Sequence, residues 1–290
     1  MDGRNVPEAS SRSPGSCFCG GLEYKLVFRK NGCDVFRCAT CGTGRADAQG
    51  FDAKTYYTAD YFDGSRDDGY ADYQGSSAVL REEFKQTLAW LRRVAPPPGR
   101  LLEIGCAYGY FLELAKSFYD VHGVEISEEA VADCHRRGLT FVEPGVLTNA
   151  MAERIGALDV VVLLDVIEHL PDPDQVLGLV AQRLRPGGSI VITTGDFGSA
   201  CSRLMGKSWR LMTPPQHLWF FTADGIRRGA AKHGLKVASI DLPWKRVPMS
   251  LIAHQLLRMT HLPTTAARRV PSAIAMPVNL FDAMRIRLVR

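Results

Sequence analysis

The chain has 290 residues, 46% of them hydrophobic and 23% charged, with a formal net charge of +4. These are the proportions of an ordinary globular protein with room for one sizeable domain and a small appendage. No apolar run approaches the roughly 18 residues of a membrane-spanning helix. The polar stretch 1–15 lacks the apolar centre of a secretory signal, so a disordered tail on a cytoplasmic protein is expected. Charge is uneven, since Lys245–Arg290 holds eight Lys/Arg against one acid, Asp282. Such a segment suits an acidic substrate, a membrane surface, nucleic acid or simply a solvated face.

Four of the eight cysteines cluster as Cys17-Phe-Cys19 and Cys38-Ala-Thr-Cys41, on either side of an alternating stretch, Leu22–Phe28. Two knuckles around a hairpin describe a ribbon over 16–50, in which four thiolates hold a structural Zn²⁺. Cys17-x-Cys19 is one residue shorter than the usual spacing, which leaves Cys33 as a substitute ligand. Uncoordinated structural thiols are the alternative.

Residues 51–98 form a linker. Tyr56-Tyr57-Thr-Ala-Asp-Tyr61-Phe62 reads as an aromatic loop that covers a pocket or packs between lobes. Val79, Leu80, Phe84, Leu88 and Leu91 recur at helical spacing over Ser77–Val94, and Pro96-Pro97-Pro98-Gly99 ends that helix at a domain boundary. Strands and helices then alternate. Strands are expected at Leu101–Ile104, Val121–Glu125, Leu139–Glu143, Leu158–Leu164 and Ser189–Thr194. Helices are expected at Tyr110–Phe118, from Ser127 to Gly138, and at Asp172–Leu184. A helix opened by Thr222 or Asp224, a strand Leu235–Leu242 and an edge strand Ala283–Val289 complete the pattern. Together they describe a doubly wound, mostly parallel α/β sheet over 99–290, with ligands at the C-terminal strand ends. Residues 243–280 read as an insertion before the last strand, either an acceptor lid or an amphipathic helix touching a membrane.

Three strand ends carry the chemistry. Gly105 and Gly109 turn the chain sharply from the first strand into a helix N-terminus, where backbone can approach a ligand closely. Glu103 beside the turn favours a cationic or hydroxyl-bearing ligand over a phosphate. Glu125 ends the second strand, where a carboxylate can accept from two ribose hydroxyls. Asp165-Val-Ile-Glu168-His169-Leu-Pro-Asp-Pro follows the fourth. The G-x-G-x-x-G pattern of nicotinamide dehydrogenases is not present.

With Leu102-Glu103-Ile104-Gly105-Cys106-Ala107-Tyr108-Gly109, Gly123-Val124-Glu125-Ile126-Ser127, the Asp165–Pro173 motif, Leu184-Arg-Pro-Gly-Gly188 and Pro214-Pro215-Gln-His217-Leu-Trp-Phe-Phe221 in this order, the sequence resembles the class I S-adenosylmethionine-dependent methyltransferases. The likeness is to the branch with an N-terminal zinc ribbon and a quinone-biosynthesis-like catalytic domain, and it covers about residues 16–242 and the last strand. It implies a seven-stranded Rossmann-like sheet and S-adenosylmethionine as cofactor. Glu103 and Gly105 would hold the methionine moiety, Cys106, Ala107, Tyr108 and Gly109 would also bind the cofactor, and Glu125 would bind the ribose with Ile126 beside the adenine. Leu164 and Asp165 would border the transferred methyl. Val146 stands where many relatives place an acid that meets the adenine. The resemblance also implies a divalent-cation set, Asp165, Glu168 and His169, with Mg²⁺ as the candidate.

Displacement at a sulfonium methyl needs alignment and desolvation above all. An oxygen or nitrogen nucleophile must also lose a proton, for which His169 and His217 are the candidate bases, alongside Asp165. Trp209, Trp219, Phe220 and Tyr56–Phe62 are candidates for an aromatic acceptor wall, or for core. The expected activity is methylation of a small molecule such as a sugar, natural product or quinone-like ring. No nucleic-acid partner is expected, and a homodimer is compatible with the sequence. A methyltransferase-fold protein acting on RNA or protein, or using the cofactor for another reaction, is the competing reading. Against the RNA form, Pro214-Pro215 lacks the preceding acid or amide of base-amine methylases.

Overall fold

The computed structural model describes residues 15–62, 73–259, 266, 270–271 and 274–290. The tail expected over 1–15 therefore lies, apart from Gly15, outside the described residues, as do parts of the aromatic linker and of the 243–280 insertion.

The chain opens with β1 (Tyr24–Lys30), β2 (Cys33–Cys38) and β3 (Gly44–Asp47). The β1–β2 turn is Asn31-Gly32, both at positive φ, as a tight hairpin requires. Short helices α1 (Ala53–Tyr56) and α2 (Ala59–Phe62) lead to α3 (Ser77–Val94). Then come β4 (Arg100–Ile104), α4 (Tyr110–Ala115), β5 (Asp120–Glu125), α5 (Glu128–Arg136), β6 (Val142–Pro144), α6 (Asn149–Ile155) and β7 (Leu158–Leu164). After these run α7 (Pro173–Arg183), β8 (Leu184–Gly195), α8 (Ala200–Met205), β9 (Trp219–Phe220), α9 (Ala223–Lys232) and β10 (Lys236–Asp241). The chain ends with β11 (Lys245–Pro248), α10 (Met249–Met259), β12 (Ala275–Val278) and β13 (Ala283–Val289). No helix among the described residues is long and apolar enough to cross a membrane.

The main sheet has the order β10-β13-β8-β7-β4-β5-β6, with β4 through β8 parallel. This is the doubly wound α/β architecture expected from the alternating pattern. Its central strand β7 is apolar almost throughout and buried on both faces, as covering helices require. The order reverses between β4 and β7, so a crevice opens at their C-terminal ends. Side-chain caps set the helix starts: Ser127, Thr148, Asp172 and Thr222 each accept from a backbone N–H in the first turn.

Three expectations differ from the structure. The last strand is not at the edge: β13 pairs with both β8 and β10, and β10 is the edge. Arg285 lies 4.0 Å over the Trp90 ring of α3 and Arg287 donates to Ser189, so both arginines are engaged by the fold. The third parallel strand starts at Val142, because Leu139 is drawn into the helix-ending turn at Gly138 and donates to the Cys134 carbonyl. Helix α6 occupies a stretch where two buried positions, Ala152 and Ile155, leave too little periodicity to read.

The ribbon is not an independent bead. β3 pairs with β9, so a four-stranded sheet, β1-β2-β3-β9, is completed by a segment 170 residues downstream that leads into α9. Phe18 is the wedge of this union. It meets Phe221 edge-on at 5.3 Å and lies under Gly229, where a Cβ would stand 2.0 Å from its ring. Phe18→Ala is expected to lower unfolding stability by about 3–5 kcal/mol in urea denaturation.

Candidate functional site

β4 delivers Glu103 and the glycine turn to the crevice. Gly105 lies at φ 70°, and a Cβ there would come within 2.6 Å of Val166. Gly109 caps α4 at φ 66°, with Leu139 and Cys134 pressed against it. Between them Ala107 also takes a positive φ of 45°. That conformation is held by Glu125: one carboxylate oxygen accepts from Ala107 N–H at 2.7 Å, the other from Ser127 N–H at 2.8 Å. Glu125 is 5% exposed. Burial pushes its carboxyl above the usual range, and the backbone donors oppose that shift.

Glu103 is 3% exposed, and its Oε2 has no hydrogen-bond partner. Burial, then the nearby Glu125 carboxylate, holds its pKa well above the usual value. A buried carboxylate oxygen without a donor at the end of a central strand is costly unless a ligand supplies one. It fits the ammonium of a methionine moiety, while the remaining lone pairs of Glu125 can accept ribose hydroxyls.

The other expected cofactor residues spread around this pair. Cys106 is buried beneath the turn, Tyr108 is buried in an aromatic cluster with Phe62, Tyr73 and Tyr110, and Ile126 and Leu164 are half-buried at their strand ends. Val146 stands 60% exposed. Asp165, at φ 55°, donates its N–H to the Thr193 hydroxyl and accepts that hydroxyl's proton at 3.0 Å.

Helices α1 and α2 lie over the strand ends. Tyr57 OH is 2.7 Å from His169 Nδ1, and Tyr57 meets Tyr61 edge-on. The Tyr57 hydroxyl is held strongly protonated by burial and by neighbouring phenols and carboxylates. His217 Nδ1 faces the Leu211 carbonyl and His169 Nδ1 faces the Gln216 carbonyl, each at 2.8 Å. A carbonyl can only accept, so each Nδ1 carries the proton and each Nε2 is bare. The two rings meet at 4.6 Å. Burial lowers both, His169 to about 4 and His217 to about 3, so both are neutral near pH 7.

One donor atom from each of Glu168, His169 and His217 lies within 4.8 Å of the others. This differs from the expected Mg²⁺ set, since Asp165 turns to Thr193 and His217 takes its place. Two imidazoles and one carboxylate match Zn²⁺, Mn²⁺ or Fe²⁺ rather than Mg²⁺, which prefers oxygen. The carbonyl behind each Nδ1 is the support a metal-bound histidine needs.

In the ribbon, Cys17–Cys41 and Cys19–Cys38 sulfurs are each 3.7 Å apart, and all four lie within 4.8 Å. A tetrahedral zinc with ~2.3 Å bonds places sulfurs about 3.8 Å apart. The Cys17 thiol donates toward Cys41, which lowers Cys41 to about 5 and raises Cys17. Deprotonated, the four sulfurs at this spacing would fit a tetrahedral cation. Cys33 is not among them; its thiol points at the Asn31 carbonyl.

The expected aromatic wall splits. Trp209, Trp219 and Phe220 are core residues, 2–4% exposed, and Trp209 donates to the buried Asp282. Only the Tyr56–Phe62 segment covers the crevice. Sequence reasoning missed Tyr57 as the ring that reaches His169, Gln216 as the carbonyl partner of His169 and Thr193 as the partner of Asp165. The aromatic run was the one signal for Tyr57.

A family model described as a methyltransferase domain matches residues 78–240, more than half of the chain. The ubiquinone biosynthesis O-methyltransferase of Cupriavidus pinatubonensis is 32% identical over 166 residues, 53% of this chain and 67% of that protein. The protein of the same name from Ralstonia nicotianae is 33% identical over 122 residues, 40% and 51% of the two chains. The match thus spans between about half and two thirds of these relatives. Magnesium protoporphyrin IX methyltransferase from Synechocystis PCC 6803, solved with bound SAH, shares the fold at a TM-score of 0.51 and 15% identity, over 82% of this chain and 97% of that one.

The depressed imidazoles have a measurable consequence. A histidine whose folded pKa lies below its unfolded value binds fewer protons when folded, so stability falls with pH from ~6.5 toward about 4. Thermal midpoints should drop across that window, and His217→Asn should flatten the slope.

Proposed function

Because the chain belongs to the methyltransferase-domain family, we propose that it transfers the methyl group of S-adenosylmethionine to an oxygen, or a nitrogen, of a small-molecule acceptor. The buried Glu103 oxygen without a donor carries this reading, because only a cationic or hydrogen-donating ligand at the β4 end satisfies it. Relatives named as O-methyltransferases favour oxygen as the accepting atom.

When bound, the cofactor supplies a methyl group on a positively charged sulfur, already a good electrophile. Glu103 holds the amino group, and Glu125 holds the ribose while fixing the glycine turn through Ala107. The carbonyl edge at Gly105 and the Leu164–Asp165 strand end would border the methionine end of the cofactor. Helices α1 and α2 exclude water, which matters more than acid–base power for this displacement. The bare Nε2 atoms of His169 and His217 accept a hydrogen bond from the acceptor's hydroxyl and orient it. With pKa values of about 4 and about 3, they position the nucleophile rather than strip its proton in advance. A divalent cation held by Glu168 and the same two Nε2 atoms would replace that hydrogen bond and would add acidity to a hydroxyl bound to it instead. The ribbon's Zn²⁺ is structural.

Calorimetry with S-adenosylhomocysteine tests the cofactor half. Glu125→Ala should weaken binding by at least about tenfold. Affinity should rise with pH, since the ammonium prefers an ionised Glu103 whose own pKa is raised, and binding should release a proton. Glu103→Gln should abolish that pH dependence. Wild type that shows no binding at all would end the reading.

The metal half has its own readout. Purified protein should release one equivalent of zinc per chain on thiol modification with a mercurial. Cys38→Ser should lose that equivalent and lower the thermal midpoint.

A further inference from the structure

Exposed apolar side chains are concentrated in one part of the chain. Of the twelve large apolar residues that stand exposed among the described residues, seven fall within Leu242–Phe281. Single residues of this kind scattered over a surface need no explanation, but a cluster does. Leu242, Trp244, Ile274, Met276, Leu280 and Phe281 are 41–62% exposed.

The β11–β12 ribbon and the turn after it hold these residues together. Val247 pairs with Met276 and Lys245 with Val278, which brings Trp244 and Asn279 to the same end of the two strands. Asn279 ties that end: its Nδ2 donates to the Leu242 carbonyl at 3.0 Å, and its Oδ1 accepts from the Phe281 N–H at 2.8 Å. Phe281 sits at φ 52° and is 60% exposed. A bulky residue adopts that backbone only where its surroundings impose it. The fold thus keeps an aromatic residue outside the core at a backbone cost.

The patch lies at the ligand end of the main sheet. Ala283 pairs with Gly195, the last residue of β8, and Arg285 pairs with Asp241, the last residue of β10. β8 runs parallel to β7. Leu242 and Phe281 therefore flank the same rim of the sheet on which β4 and β7 open the crevice.

Charge in this stretch has one sign. Between Pro243 and Phe281 the sequence has five Lys/Arg and no Asp or Glu. The next residue, Asp282, is 1% exposed and paired with Arg210 at 2.9 Å, so it does not offset them at the surface.

We propose that this surface docks on an anionic lipid bilayer, with Trp244, Leu280 and Phe281 entering the headgroup region. A bilayer surface answers both halves of the patch: aromatic and aliphatic side chains enter the boundary with the acyl chains, and basic residues are drawn to anionic headgroups. A second copy of the chain fits less well. In a two-fold dimer the same patch faces itself, and a stretch without an acid would set like charges together. An apolar protein surface would leave the basic excess unanswered. Docking in this way turns the rim that carries the crevice toward the membrane. Lipid binding of this kind is read without cofactor or acceptor, so its outcome stands apart from the methyl-transfer reading.

Flotation of the full chain with vesicles is the test. Binding to mixed phosphatidylcholine–phosphatidylglycerol vesicles is expected, with little binding to phosphatidylcholine alone and a loss as salt rises. Trp209 and Trp219 are buried and Trp90 lies under Arg285, so Trp244 dominates the solvent-sensitive fluorescence. Its emission should shift to the blue on binding, and Trp244→Phe should remove the shift while keeping most of the binding. Trp244→Ser/Phe281→Ser should bind the mixed vesicles at least about tenfold more weakly, with the thermal midpoint unchanged because both residues are exposed. No binding to the mixed vesicles, equal binding to neutral ones, or unchanged affinity in the double variant overturns the docking surface. So does a dimer in vesicle-free sedimentation that the double variant abolishes, since a second copy would then cover the patch.

Discussion

Two backbone N–H groups converge on a single buried carboxylate, and much of the site depends on that convergence. Glu125 accepts from Ala107, in the turn after β4, and from Ser127, which caps α5. One side chain thereby locks two adjacent strand ends into a fixed relation. Ala107 sits at a positive φ that an alanine adopts only when its surroundings impose it. Burial alone would drive Glu125 to take up a proton, and the two donors oppose this. Glu103 next to it has no such donors, so the crevice holds one satisfied and one unsatisfied carboxylate. The unsatisfied one is what gives the site an appetite for a cation.

The ribbon is tied to the catalytic unit in three ways. β9 extends its sheet, Phe18 fills the space over Gly229, and the Thr222 hydroxyl, besides capping α9, donates to the Cys41 carbonyl at 2.8 Å. Thr222 therefore serves a cysteine knuckle and a helix start at once. His217 lies two residues before β9. Cysteine cluster, ribbon sheet and imidazole are in this way joined in one continuous stretch of structure.

The histidine pair illustrates how burial and hydrogen bonding divide the work. Two carbonyls select the tautomer by taking the Nδ1 protons, and desolvation keeps the rings neutral. A neutral imidazole with a bare Nε2 can accept a hydroxyl proton in a hydrogen bond or bind a metal, but it makes a poor advance base. For a methyl transfer whose electrophile is already activated, orientation suffices. The aromatic cover formed by Tyr57 and its neighbours supplies the dry surroundings in which that orientation counts.

The alternation of strands and helices, the glycine turn, the strand-end carboxylates Glu103 and Glu125 and the two cysteine knuckles were legible in the sequence. Each is encoded locally: apolar runs make central strands, glycines make positive-φ turns, and paired cysteines announce a metal. What local pattern could not contain was decided by contacts between distant segments. β13 looked like an edge because it alternates and closes the chain, and only the fold placed it between β8 and β10. Trp209, Trp219 and Phe220 looked like a ligand wall because an aromatic run does not say which side it buries. His169 and His217 were visible singly, but their union with Glu168, the contact with Tyr57 and the turning of Asp165 to Thr193 join segments far apart in the chain. The sequence alone thus determined the architecture and set Glu103, Glu125 and the glycine turn at neighbouring strand ends, because periodicity and turn chemistry act over a few residues. Tertiary structure decided the histidine cluster and its cover, because hydrogen-bond partners and burial there come from segments that only folding brings together.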